Sequence, residues 1–167
     1  MKTLFAYGTL MCAAIMTEVS GLAPAQVAGR LRGYSRRAVR GEWYPGLVPA
    51  QGGLVEGVVY LGIPGPVWKR LDRFEGAGYK HRVLQLEIAG RRCSVFTYVA
   101  RPQHCEPRLK PFRWYRELVY LGARYHGFPA DYLQDLAAVE AIEDRDRDRL
   151  SRHQALLAML EADASRP

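Results

Sequence analysis

The sequence predicts a single α+β domain whose β-sheet curls around one core. Three observations support this fold class. Strand patterns dominate up to residue 100, helix patterns dominate after it, and the chain opens with a strand that leads directly into a helix. A length of 167 residues, 49% of them hydrophobic, is enough for one sizeable core and lies within the range of one domain.

The opening segment has the pattern of a strand, a tight glycine turn and a helix. Residues 2–7 are mostly apolar and predict a short, largely buried strand, which Gly8 ends. Thr9 is predicted to cap a helix over residues 10–20, and Gly21 is its predicted stop. The apolar residues of this helix share one face, so that face is expected to be buried.

The middle of the chain is rich in glycine and β-branched residues and predicts mostly sheet and loop. The predicted features are a turn at Tyr44-Pro45-Gly46, a strand over residues 54–61, and strands over residues 81–88 and 91–100 joined by a hairpin turn at Ala89-Gly90. Residues 101–111 contain three prolines and predict an extended surface connection.

Helix patterns occupy the segment before this hairpin and the last third of the chain. Pro66 opens a short helix that reaches Phe74 or Glu75, where Gly76 stops it. Three further helices are predicted over residues 112–126, 130–143 and 150–163. The alternating charges of residues 143–149 are interpreted as a solvated helix face with paired charges.

Composition narrows the class of protein. The apolar stretches are shorter than the roughly 18 residues of a membrane span, and no long apolar leader opens the chain. Cys12, Cys93 and Cys105 include no Cys-x-x-Cys pair and fit reduced thiols better than a disulfide framework. A soluble, cytoplasmic protein that makes no membrane contact is therefore expected.

The chain is basic, with 24 lysines and arginines against 17 acidic residues and a net charge of +7. Much of the excess lies in one cluster, formed by Arg30, Arg32, Arg36, Arg37 and Arg40. Such a cluster can contact nucleic acid or anionic metabolites, although most basic runs are solvated surface.

Common cofactor and metal motifs are absent from the sequence. It contains no dinucleotide fingerprint, phosphate loop or nucleophile elbow. The four histidines, His81, His104, His126 and His153, have no spacing typical of a zinc site.

Two local features can carry chemistry. At Tyr7-Gly8-Thr9-Leu10 a strand gives way to a helix, so backbone N–H groups converge at a positive helix end and form a cradle for an anion or oxyanion. The alternative is a plain strand-to-helix turn.

The second feature is Glu75, which follows Leu71 by four residues and thus adds a carboxylate to an apolar stripe at a helix C-terminus. Burial and the helix dipole are expected to raise its pKa, as suits a general acid or base; the alternative is a solvated glutamate in a fraying turn.

These features occur together with others in a fixed order. Their elements are Phe5-Ala6-Tyr7-Gly8-Thr9-Leu10, Arg32-Gly33-Tyr34, Gly57-Val58-Val59-Tyr60, Leu71-Asp72-Arg73-Phe74-Glu75-Gly76 with Tyr79 and Arg82, and the segment from Tyr115 to Ala123 with Gly127, Pro129 and Tyr132. In order and spacing the set resembles the gamma-glutamylcyclotransferase-like family, up to about Asp144. The segment from Tyr115 onward resembles the longer members, which act on gamma-glutamyl peptides and amines.

The resemblance implies a compact mixed β-barrel with flanking helices. It implies that Tyr7, Gly8, Thr9 and Leu10 hold the glutamyl part of the substrate, that Glu75 is the general acid/base and that Tyr115 lines the pocket. The implied reaction is attack of a gamma-glutamyl group's own α-amine on its γ-carbonyl, which releases 5-oxoproline with neither metal nor cofactor. Residues 1–144 would form this domain, and residues 145–167 a charged C-terminal helical extension.

One alternative is a non-catalytic binding module for anionic ligands or RNA on the same fold, with the basic cluster of residues 30–40 as its contact surface. Within the enzymatic interpretation, glutathione-like peptides, gamma-glutamylamines and a gamma-glutamyl-protected natural product all remain open as substrates. The oligomeric state is also open.

Overall fold

The computed structural model describes residues 1–37, 46–101 and 109–164. The strands are β1 (Lys2–Ala6), β2 (Gln26–Arg37), β3 (Gly46–Ile63), β4 (Tyr79–Ile88) and β5 (Arg91–Ala100). The helices are α1 (Ala13–Ser20), α2 (Trp68–Glu75), α3 (Arg113–Tyr125), α4 (Ala130–Ala138) and α5 (Arg147–Ala164), with short 3-10 turns at Thr9–Met11 and Gly65–Val67.

The five strands close into a barrel in the order β1-β3-β2-β4-β5. Parallel pairing of β1 with β5 closes it, with Leu4 opposite Phe96 and Phe5 opposite Thr97, whereas the other neighbours pair antiparallel. The expected α+β barrel with flanking helices is confirmed. The hairpin turn also lies where predicted, since Ala89 and Gly90 both have positive φ, at 47° and 76°.

Alternation along β1 divides the buried residues into two clusters. Phe5 and Tyr7 belong to the cluster inside the barrel, together with residues such as Leu47 and Val59. Leu4 belongs to the larger cluster between the barrel and the helices. Both faces are covered in the second half of β1, where Leu4, Phe5 and Ala6 form an uninterrupted apolar run.

The first helix differs from the prediction. Thr9 does not cap it: Gly8 precedes a 3-10 turn, Cys12 is extended, and α1 begins only at Ala13. The turn forms because Met11 and Cys12 donate backbone hydrogen bonds to carbonyls three residues earlier, which leaves the Thr9 hydroxyl without a capping role. Gly21 does end α1, in a left-handed conformation.

The end of the chain also differs from the prediction. Helix α4 ends at Ala138 rather than near residue 143, and α5 begins at Arg147. The charged run 143–149 is largely exposed and its charges are paired as predicted, for example Glu143 with Arg113 and Asp146 with Arg149. It differs from the prediction in two respects: residues 143–146 lie before α5, and Asp144 is only 5% exposed and accepts a hydrogen bond from Trp114. The predicted turn residues Tyr44 and Pro45, and most of the predicted surface connection, lie outside the described residues. Within the described ranges, none of the helices combines the length and apolar character needed to cross a membrane.

Candidate active site

The chain is held firmly at the point where β1 ends. Arg36 on β2 donates to the carbonyl oxygen of Tyr7 from Nε at 2.9 Å and from Nη2 at 2.6 Å. The Tyr7 hydroxyl donates to the carbonyl oxygen of Tyr98 on β5 at 2.8 Å. These bonds fix the backbone that leads into Gly8.

The 3-10 turn after Gly8 presents backbone amides. Its first hydrogen bonds run from Met11 N–H to the Gly8 carbonyl and from Cys12 N–H to the Thr9 carbonyl, each at 3.0 Å. The amides of Thr9 and Leu10 precede these donors, and the first amides of a helical turn have no carbonyl partner within it. These two amides can therefore donate hydrogen bonds to an oxygen atom of a bound molecule.

Gly8 lies against Tyr115, a buried residue of α3. A Cβ atom at position 8 would lie 2.7 Å from the Tyr115 hydroxyl oxygen, well inside van der Waals contact. The missing side chain is what allows α3 to approach the loop this closely. The loop and Tyr115, which are distant in sequence, therefore share one site.

A cleft of about 400 Å³, part of it open to solvent, lies beside this loop. It is bordered by every site residue named from the sequence and the resemblance: Tyr7, Gly8, Thr9, Leu10, Glu75 and Tyr115. Phe74, Tyr79 and Tyr98 border it as well and were not predicted to do so. Alternation along β5 could have indicated Tyr98, because it places this side chain on the face opposite Val95, toward the helices.

Glu75 is the last residue of α2 and is half-buried. Its charge acts on tyrosines of two different elements. Burial and then the Glu75 charge raise the pKa of Tyr7 well above its usual value. Burial, the hydrogen bond to Asp72, and the Asp72 and Glu75 charges raise the pKa of Tyr98. Both hydroxyl groups are therefore neutral near pH 7, and Glu75 lies in a largely aromatic cleft.

Arg36 is a site residue that sequence reasoning missed, because it was counted only as part of the basic cluster. Besides the Tyr7 carbonyl it donates to the Glu56 carbonyl at 3.2 Å and to the Tyr132 hydroxyl. Two other members of the cluster are paired with acids: Arg30 with Glu56 at 2.8 Å and Arg32 with Glu87 at 3.8 Å. Arg40 lies outside the described residues.

The pairing of Arg30 and Arg32 with acids reduces the basic surface available to an RNA partner, on which the alternative interpretation depends.

The three described ranges contain no group of three or more His, Cys, Asp or Glu side chains that could hold a metal ion.

The family model "Gamma-glutamyl cyclotransferase, AIG2-like" matches residues 4–117. This range covers most of the chain and includes the Gly8 loop, Glu75 and Tyr115. The chain belongs to this gamma-glutamyl cyclotransferase, AIG2-like family.

Curated members of the family from Arabidopsis thaliana show moderate sequence identity. AIG2-like protein D is 28% identical over 102 residues, which cover 59% of this chain and 67% of that protein. AIG2-like protein C is 31% identical over 98 residues, 58% of this chain and 57% of that protein. Protein AIG2 A is 26% identical over 50% of this chain. The matches thus span from 49% to 67% of the length of these three relatives.

Solved structures match over nearly the whole chain. A gamma-glutamyl cyclotransferase superposes with a TM-score of 0.82 at 18% identity, covering 95% of this chain and 98% of that one. An uncharacterised human protein gives a TM-score of 0.81 at 19% identity, covering 94% and 98%. At these identities the likeness shows the fold, and it supports the barrel with its flanking helices.

Proposed function

We propose that this protein is a gamma-glutamyl cyclotransferase. The single observation that carries the proposal is the meeting, in one cleft, of the amide-bearing loop after β1, the carboxylate of Glu75 and the hydroxyl of Tyr115. Membership of the family supports it.

The reaction is intramolecular. The α-amine nitrogen of the gamma-glutamyl group attacks its own γ-carbonyl carbon, a new C–N bond closes the five-membered ring, and the bond to the leaving amine breaks. Holding the amine and the carbonyl in a near-attack geometry can supply roughly 7 to 11 kcal/mol of the barrier. A rigid loop beside a narrow cleft is suited to that task.

The carbonyl oxygen gains negative charge as the ring closes. In this proposal the amides of Thr9 and Leu10 stabilise that charge, since they precede the first hydrogen bonds of the 3-10 turn. Arg36 acts as a positioning residue, because it binds the Tyr7 carbonyl and keeps the following peptide groups oriented.

The attacking ammonium loses two protons, one before it attacks and one as the ring closes, and the leaving amine gains two when it departs as an ammonium ion. Glu75 is assigned these transfers, as base toward the former and as acid toward the latter. At reference pKa values the first step, from an α-ammonium to a glutamate, is uphill by about 3.5 units. Desolvation raises the pKa of a carboxylate, so a substrate that fills the cleft narrows this gap.

The test is a panel of gamma-glutamyl compounds incubated with the purified protein, with 5-oxoproline and the released amine measured by mass spectrometry. The panel contains a gamma-glutamyl dipeptide, glutathione and a gamma-glutamylamine. The α-glutamyl isomer of the dipeptide is the control, because it lacks a γ-amide bond to break. Equal amounts of 5-oxoproline and free amine from at least one gamma-linked compound are expected. Absence of 5-oxoproline from the whole panel would overturn the proposal.

A further inference from the structure

Tyr98 of β5 borders the cleft that contains Glu75, and its side chain is buried. Its carbonyl oxygen accepts the hydrogen bond from the Tyr7 hydroxyl at 2.8 Å, which ties this part of β5 to the end of β1. Burial is the main reason that the pKa of Tyr98 is raised, and the Glu75 charge contributes to the rise. The Tyr98 hydroxyl group therefore lies within range of the Glu75 carboxylate.

Asp72 fixes the direction in which the Tyr98 hydroxyl donates its hydrogen. The hydroxyl donates to Asp72 Oδ1 at 2.7 Å, and a carboxylate oxygen is an acceptor. Because a phenol has one hydrogen to donate, the Tyr98 oxygen keeps only acceptor capacity for a second partner. His81 Nδ1 on β4 lies 3.2 Å from the same Asp72 oxygen, so side chains of two strands hold this carboxylate in place.

The helix places Asp72 close to Glu75. The two acids are three residues apart on α2, and residues at this spacing are neighbours on one helix face. Among the described residues that border the cleft, Glu75 is the only one with a formal charge. Since Asp72 adds a second negative charge on the far side of the Tyr98 hydroxyl, this end of the cleft attracts a cation rather than an anion.

The α-ammonium of a gamma-glutamyl group is a cation with three hydrogens to donate. Two of these hydrogens leave as protons during the reaction, and the third remains on the ring nitrogen of 5-oxoproline. An acceptor that binds this third hydrogen throughout can orient the nitrogen lone pair toward the γ-carbonyl carbon without taking a proton. The Tyr98 oxygen suits this task, because it keeps its own hydrogen on Asp72.

We propose that the Tyr98 hydroxyl oxygen accepts a hydrogen bond from the α-amine nitrogen of the substrate, and that Asp72 is the positioning residue that keeps this oxygen available as an acceptor. The α-amine is then held by a neutral hydroxyl group beside the carboxylate that deprotonates it. This inference rests on the proposed cyclotransferase function.

A substrate and an inhibitor that differ only in the α-amine test the role of Tyr98. The substrate is the gamma-linked compound of the panel that is turned over fastest. The inhibitor is its glutaryl analogue, which lacks the α-amine and cannot cyclise. Tyr98→Phe is expected to lower kcat/KM about tenfold or more, as the loss of a hydrogen bond to a charged group implies, and to leave the inhibition constant of the glutaryl analogue within about twofold of wild type.

A double-mutant cycle tests the positioning role of Asp72. Asp72→Ala is expected to lower kcat/KM in the wild-type background and to have no further effect in Tyr98→Phe, because a residue that acts through a partner adds nothing once the partner group is gone. Asp72→Asn keeps an acceptor oxygen and is expected to recover part of the loss. The Asp72 side chain is 47% exposed, so its variants are expected to fold and keep the inference testable even if Tyr98→Phe does not.

Tyr125→Phe is the matched control, since Tyr125 is exposed on α3 and does not border the cleft. It is expected to match the wild type in both constants, and melting temperatures verify that all variants fold.

Three results would overturn the inference and leave the cyclotransferase function standing. They are a kcat/KM of Tyr98→Phe within about twofold of wild type, an equal weakening of the substrate and the glutaryl analogue, and an equal effect of Asp72→Ala in both backgrounds. Absence of 5-oxoproline from the whole panel with the wild-type protein would overturn the cyclotransferase function and this inference with it.

Discussion

Asp144 and Glu75 are both partly or wholly buried, but they lie in different parts of the molecule. Asp144 is 5% exposed, and donors surround its carboxylate. Trp114 Nε1 donates to it at 2.9 Å and the Asp146 amide at 3.0 Å, while Arg149 donates from two nitrogens. Glu75 instead borders an open cleft together with tyrosine side chains.

We propose that this difference separates a structural acid, Asp144, from the catalytic acid proposed here, Glu75. The pKa of Asp144 is lowered to about 2. The hydrogen bond from Arg149 is the main cause, and those from the Asp146 amide and Trp114 add to it, whereas burial acts in the opposite direction. Such a carboxylate stays ionised and cannot exchange protons with a ligand near neutral pH. A carboxylate that faces a cleft can do so, because its hydrogen-bonding partner changes when a substrate binds.

Asp144 also helps to hold α5 against the rest of the domain. Arg149 on this helix bonds to Asp144, and the His153 ring stacks on the Trp114 ring with a centroid distance of 3.7 Å. Leu157 is buried in the cluster between barrel and helices. We therefore propose that the C-terminal extension stabilises the domain and takes no part in the chemistry.

The largest effect is expected for Glu75→Gln. The amide keeps the shape of the side chain but cannot carry a proton between the attacking and leaving amines. Turnover is expected to fall by a factor of about 100 to 10,000, the usual contribution of general acid/base catalysis, while substrate binding and stability hold. Initial rates of 5-oxoproline formation and calorimetric binding measure the two effects.

Glu18→Gln is the control for this variant, because Glu18 is an exposed acid on the surface of α1. It is expected to match the wild type in rate and stability. If Glu75→Gln kept half of the wild-type rate on a proven substrate, another group would have to carry the proton.

Asp144→Asn is expected to lower stability and leave the catalytic rate unchanged, the reverse of Glu75→Gln. It leaves Arg149 and Trp114 facing an uncharged amide in a buried position, and breaking a buried ion pair typically costs about 3 kcal/mol or more. We expect that loss in the free energy of unfolding, measured by denaturant titration, with an unchanged rate per folded molecule.

Asp146→Asn is the matched control for the buried acid. Asp146 is half exposed, pairs with Arg149 at 3.2 Å and accepts a hydrogen bond from the Arg149 amide, which an asparagine can also do. The free energy of unfolding of Asp146→Asn is expected to fall by less than about 1 kcal/mol. Equal losses at positions 144 and 146 would mean that burial does not distinguish the two acids.

Much of the fold could be predicted because its signals are local. The strand at residues 91–100, the turn at Ala89-Gly90 and the end of α1 at Gly21 follow from periodicity and glycine placement. Closure of the barrel pairs β1 with β5 far along the chain, and no local pattern encodes that contact. It was expected only through the resemblance.

The site was predictable where residue types carry its chemistry. Glu75 and the Gly8 loop stand out as a carboxylate and a glycine turn. Arg36 does not, because its partners are backbone carbonyls that any sequence supplies. The burial of Asp144 was missed because alternating charges suggest a surface, whereas Trp114, which donates to it in the interior, is thirty residues away.

A smaller effect is expected for Gly8→Ala. The new Cβ lies 2.7 Å from the Tyr115 hydroxyl oxygen, so the loop or α3 must shift. We expect kcat/KM to fall about tenfold and stability to drop by about 1 kcal/mol, at the low end of overpacking costs. Steady-state kinetics and thermal unfolding measure both.

Gly65→Ala is the matched control, because a Cβ there meets no atom within 4 Å. Adding Tyr115→Phe to Gly8→Ala removes the crowded oxygen and is expected to restore stability. If the activity of Gly8→Ala fell only in proportion to its folded fraction, the loop would be a turn and nothing more.

The last expected effect is a change with pH in the stability difference between the wild type and Asp144→Asn. The pKa of Asp144 is about 2 in the folded protein, below its ordinary value of 3.8, so its contribution is complete at neutral pH and is lost as the pH falls through this interval. About half of the wild-type advantage should be gone near pH 3. Burial lowers the pKa of His153, which destabilises both proteins in acid, so only the difference between their denaturation midpoints is informative. A difference that stayed constant from pH 7 to pH 3 would show that Asp144 acts through packing rather than through its charge.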